Sequence, residues 1–184
     1  MRAALCVLAL SLAVVTAAPA AADQNDPRLE ALFMALQSAS DPGEIGAAEQ
    51  AIWGIWMESG DGDIDRLLHQ GSVHMSLRSY GAALGYFNEV IERRPDFAEG
   101  WNKRATVYYL MGEYAKSIAD CEKVLALEPR HFGALSGLGL IYAQLEDDAR
   151  ALQAFEQALR VNPHLRNAAA IIRRLKARLG VQDI

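Results

Sequence analysis

The chain has 184 residues, 52% of them apolar, with 18 Lys and Arg against 23 Asp and Glu and a formal net charge of −5. That balance excludes nucleic acid as the main partner, because affinity for a phosphate backbone comes from clustered cations. There are two cysteines, Cys6 and Cys121, too few for a disulfide-stapled scaffold, so stability must come from apolar burial.

Residues 1–22 place one basic residue, Arg2, before an apolar run from Ala3 to Val15, then small residues ending in Ala20, Ala21 and Ala22. This order is that of a secretory signal peptide, and the run is too short to span a bilayer. Cleavage is expected before Asp23, with cleavage after Ala20 as the competing site and an uncleaved anchor as the alternative reading. Cys6 leaves with the signal, so Cys121 has no partner for an internal disulfide. No later stretch approaches the roughly 20 apolar residues of a membrane span, and no transmembrane anchor is expected after cleavage.

Residues 23–63 read as a helix pair. Leu29, Leu32, Phe33 and Leu36 form one stripe. Asp41, Pro42 and Glu44 then give an N-cap, a first-turn proline and a reciprocal acid, opening a helix that carries Trp53 and Trp56.

From residue 64 the chain repeats itself. Pro95, Pro129 and Pro163 are 34 residues apart. In that register large residues align at Leu67, Trp101 and Leu135, and at Phe87, Cys121 and Phe155. Small ones align at Gly71, Ala105 and Gly139, and at Ala83, Ser117 and Ala151. Alternating large and small columns let two amphipathic helices approach and interdigitate, and the proline ends each unit. The units are 64–97, 98–131 and 132–163. Residues 164–184 predict one more amphipathic helix, with Ile171, Ile172, Leu175 and Leu179 facing inward.

The pattern resembles the tetratricopeptide repeat, most closely at Leu138, Gly139, Tyr142, Ala151, Phe155, Ala158 and Pro163. Departures are Gln70 and Arg104 at leucine places and His74 at an aromatic one. The resemblance implies an all-α fold, a right-handed superhelical array of antiparallel helix pairs with three full repeats. Residues 23–63 are then a degenerate pair capping the N-terminal end, and residues 164–184 cap the other. Two segments, 95–105 and 127–139, are similar to those of small periplasmic, envelope-associated members from Gram-negative bacteria. This implies a periplasmic adaptor or scaffold in cell-envelope maintenance. The alternatives are an accessory to a peptidoglycan-modifying or secretion machine and a self-assembling envelope protein.

Such arrays bind partners in the concave groove lined by the first helix of each unit. The expected groove residues are Leu68, Ser72 and Met75; Asn102, Lys103, Thr106 and Tyr109; and Gly133, Ser136, Gly137, Leu140 and Gln144. Family members that grip a C-terminal carboxylate use basic and Asn residues at places held here by Leu68, Ser72, Lys103, Gly133 and Gly137. Only Lys103 is basic, so an extended or helical apolar protein segment is the better fit. Gly133 and Gly137 each cost a helix about 1 kcal/mol relative to alanine. Either they bare the backbone for a bound segment, or the cap helix or the N-terminal segment packs closely there.

No chemistry is expected. The carboxylates of residues 58–65 fail an EF-hand count, which meets Arg66 where glycine is needed and Ser72 where glutamate is. His69 and His74 are five residues apart, the wrong spacing for two ligands on one helical face; His131 and His164 read as helix caps, and Cys121 as an inert core thiol. No catalytic set, cofactor motif or metal signature is present. Charge is polarised, with ten acids and one base in residues 23–65 against six bases and one acid in residues 160–184. Opposite poles allow a homo-oligomer.

Overall fold

The computed structural model describes residues 23–181; the expected signal peptide lies outside the described residues. Within them the chain forms nine α-helices and no strand. Three antiparallel pairs follow the 34-residue period: α3 (Gly62–Ser76) with α4 (Tyr80–Arg93), α5 (Ala98–Leu110) with α6 (Tyr114–Leu127), and α7 (Phe132–Gln144) with α8 (Asp148–Val161). Each pair stacks on the next, α4 on α5 and α6 on α7, and α8 on α9 (Ala168–Leu179). The period recurs in the backbone, where Arg78, Gly112 and Glu146 all take positive φ in the turn between paired helices. Pro95, Pro129 and Pro163 each follow the C-cap residue of a second helix, where the ring stops the helix without costing an internal bond.

The aligned columns touch as the spacing predicts. A Cβ added at Gly71 would meet the Phe87 ring at 2.4 Å, and one at Gly139 would meet the Phe155 ring at 2.7 Å. The second unit solves the same contact differently: Ala105 faces the smaller Cys121, and Ser117 Oγ donates to the Ala105 carbonyl at 2.7 Å. Gly71→Ala is therefore expected to destabilise by about 1–3 kcal/mol through overpacking, read as a lower urea midpoint at unchanged m-value.

Both departures at leucine places are accommodated. Gln70 is exposed on α3, where no earlier helix stacks, so a polar side chain costs nothing. Arg104 is held by both oxygens of Asp120 at 2.8 Å and by Asn88 at 2.8 Å, with its guanidinium over Trp101.

The first helix pair, α1 (Arg28–Ser38) and α2 (Pro42–Trp56), corrects the expectation of an end cap. It does not stack on α3 as α4 stacks on α5. With the segments that flank it, it lies as a strap across the edge of the array, touching all three inter-unit turns. At the first turn the Gln24 side chain donates to the Asp96 carbonyl and accepts from Ala98 N–H, while Arg94 donates to the Ser59 carbonyl. The second turn receives Glu30 on Arg130 and both tryptophans on His131 and Phe132. The third receives Glu49 on Asn162, and His164 Nε2 donates to the Leu36 carbonyl. From Glu30 to Gln37 α1 advances about 10 Å, close to the 8–10 Å between packed helices, so one helix meets successive turns. Leu29, Phe33, Leu36, Ile52, Ile55 and Trp56 form its core together with Phe132.

At the other end α9 buries Ile172 and Leu175 against Phe155 and Ala151. Ile171 is half-buried, and Leu179, expected inward, is 40% exposed at the last residue of the helix.

Candidate binding groove

The first helices α5 and α7 wall a depression of about 300 Å³. Seven of the residues expected in the groove line it: Asn102, Thr106, Tyr109, Gly133, Ser136, Gly137 and Leu140. Leu110 and Leu140 are 47% and 42% exposed at its rim. The floor comes from Ala105, Ser117, Cys121 and Ile141. Two of these, Ser117 and Cys121, belong to the second helix α6, at places the periodic reading assigns to the core. They reach the groove because Cys121 stands where the other units carry phenylalanine, so the floor sinks by most of a ring. That substitution was visible in the aligned columns.

The other expected groove residues are placed differently. Leu68 is 1% exposed among Ile64, Phe97 and Val107 and is core, a correction whose cause is the docking of Phe97 from the first inter-unit turn. Ser72 and Met75 are half-buried on α3, Ser72 donating to the Leu68 carbonyl. Gln144 is exposed beyond the depression. Lys103 carries no free charge, for its Nζ is 3.1 Å from Glu99 Oε1.

Gly133 and Gly137 answer the two readings separately. A Cβ at Gly133 would meet Trp53 at 2.7 Å, so this glycine makes room for the strap. A Cβ at Gly137 would meet only Cys121 Sγ, at an ordinary 3.8 Å, and its backbone faces open space in the depression. Burial pushes the Cys121 thiol up to about 12, so it stays protonated and inert at neutral pH.

Beneath the strap lies a buried polar cluster. His131 Nδ1 accepts from Ala134 N–H at 3.1 Å, capping α7, which leaves Nε2 to donate to Glu99 Oε2 at 3.1 Å. Asn102 donates to the same oxygen at 3.0 Å. Burial pushes the Glu99 carboxyl upward, but Lys103 and His131 outweigh it and hold it below the ordinary carboxylate range. Trp56 stacks flat on the His131 ring, centroids 4.1 Å apart. His131 thus caps its helix, as expected, and also seats the strap. His164 serves the strap too.

The acidic loop before α3 is spent on its own backbone: Asp65 accepts from Ser59 N–H and Oγ, and Asp61 caps α3. Among the described residues no group of three or more His, Cys, Asp or Glu is placed to hold a metal ion. No described helix is long and apolar enough to cross a membrane.

Comparison with known proteins agrees with the repeat. The tetratricopeptide repeat profile matches residues 96–164. A TPR repeat-containing protein of Rhizobium etli is 37% identical over 153 residues, covering 83% of this chain and 75% of its own length. Among solved structures, the first TPR of Spaghetti, bound to an HSP90 peptide, superposes with a TM-score of 0.61 at 20% identity, over 64% of this chain and 93% of that one. The TPR2B domain of yeast Sti1, in complex with pHsp70, gives 0.59 at 19% identity, over 64% and 99%. At those identities the likeness is one of fold. With a 34-residue period carried through sequence, backbone and packing, and a relative that matches across most of both chains, this chain belongs to the tetratricopeptide repeat family.

Proposed function

We propose that the protein is a non-enzymatic adaptor whose concave groove takes up a segment of a partner protein, and that it works after export, in the periplasm, in maintenance of the cell envelope. The observation that carries the binding role is the bare backbone at Gly137 above an apolar floor, with Leu110 and Leu140 exposed at the rim. A helix that accepts an interior glycine with nothing packed on it gives up stability for access. The peptide complexes of Spaghetti and Sti1 support a peptide as the kind of ligand. Their mode of grip does not transfer through Lys103, whose charge Glu99 already balances. Export is supported by the order of residues 1–22.

Gly137→Arg fills the depression from a helix surface where nothing else stands within reach of a new Cβ. Affinity capture with the wild type and this variant, compared after circular dichroism shows equal helicity, is expected to lose a specific partner with the arginine. An unchanged partner set would move binding off the groove. Osmotic-shock fractionation with N-terminal sequencing tests export: a mature chain starting at Asp23 in the shock fluid is expected, and an unprocessed cytoplasmic chain would overturn the location.

A further inference from the structure

Resting on the groove reading above, we infer that the bound segment pairs an apolar side chain, seated between Gly137 and Leu140, with an acidic side chain that meets Arg174 of the last helix. The depression does not end at α7. Leu140 is shared with a second hollow of about 250 Å³, lined by Ala143, Phe155, Ile171, Leu175, Arg174 and Arg178. Its floor is apolar and its rim is guanidinium.

The charges around this path decide what it can take. Lys103 is neutralised by Glu99, and Arg178 by Asp148. Lys176 lies 3.7 Å from Glu156. Arg174 is exposed and makes no ion pair among the described residues. The unspent charge facing the apolar path is therefore positive, and it sits at one end. An occupant that buried apolar side chains and brought a carboxylate there gains an ion pair without desolvating any existing one. Residues of α7 and α9 line this one hollow, and neighbouring helices stand about 8–10 Å apart, a span an extended chain crosses in about three residues. The acid thus belongs about three residues from the apolar anchor. Capture of a chain-end carboxylate takes several converging donors, whereas Lys103 and Arg178 are already paired and leave Arg174 to meet the acid, so an internal Asp or Glu fits better than a chain end.

The test is selection of a random dodecapeptide library, displayed as internal fusions, on the immobilised full chain, followed by titration of the enriched peptides made synthetically. Enriched sequences are expected to carry an apolar residue with Asp or Glu about three positions away. Arg174→Glu is expected to weaken them about tenfold, more at low salt than at high, and Gly137→Arg to abolish binding. Apolar peptides with no acidic preference, bound equally by Arg174→Glu but lost with Gly137→Arg, would overturn this inference and leave the groove reading standing. Acidic peptides indifferent to Gly137→Arg would overturn both, as would no enrichment at all. Binding that needs a free peptide C-terminus would overturn the assignment to an internal acid. Arg174 is exposed, so its replacement leaves the fold measurable by circular dichroism in every arm.

Discussion

His131→Ala is expected to be among the most damaging single changes in the protein, costing about 3–5 kcal/mol. Three losses coincide. The Ala134 N–H loses its cap at the start of α7, worth about 1 kcal/mol. The Glu99 carboxylate, fully buried, loses one of its donors and keeps its charge. Trp56 loses the ring on which it stacks, and a void opens between strap and array. Urea unfolding followed by tryptophan fluorescence measures this directly, and a loss under about 1 kcal/mol would show that the cluster does not hold the strap. The same cluster makes stability pH-dependent with a definite sign. Glu99 has a folded pKa below its unfolded one, so its contribution is complete above about pH 4.3. It is lost as pH falls through the depressed folded value. In His131→Ala this acid-side slope is expected to shrink.

Trp56→Ala carries the second large expectation, about 3–5 kcal/mol. The side chain is 1% exposed and packs on Phe33, Trp53, Phe132 and His131 at once. Its removal therefore empties the centre of the strap core as well as the contact with the second inter-unit turn. Apart from Phe132 the buried core of the strap comes from its own two helices, so loosening the Trp56 contact with the array is expected to release it as a unit. Hydrogen exchange should then rise across α1 and α2 while α3–α8 stay protected. Uniform loss of protection would show instead that strap and array melt together. Because Trp56 and His131 touch, the double variant is expected to cost less than the two singles added; strict additivity would break the link drawn between them.

The small places of the repeat were legible in the sequence wherever their partner was a neighbour in the same unit. Gly71 against Phe87 and Gly139 against Phe155 follow from column and period alone. Seven of the groove residues were legible for the same reason, since a helix turns a fixed angle per residue and exposes the same places in every unit. Leu68 was misplaced because its burial depends on Phe97, a turn residue outside the helical pattern. The groove floor was missed because Ser117 and Cys121 belong to columns that are core in the other units.

What the amino-acid order determined by itself is the helix pairs and their stacking in phase. Both rest on contacts between residues fewer than about 35 positions apart, which a 34-residue period repeats until it is unmistakable. Only the tertiary structure decided where the first helix pair goes and how the two groove glycines divide. Trp53 against Gly133, Trp56 against His131 and Glu49 against Asn162 join positions 75 to 113 residues apart that occur once and have no period to reveal them. The strap folds back along the edge because its tryptophans find an apolar seat at the second inter-unit turn, whereas the outer face of α3 offers Arg66 and Gln70. Burial of aromatic surface favours the first and desolvation of polar groups opposes the second.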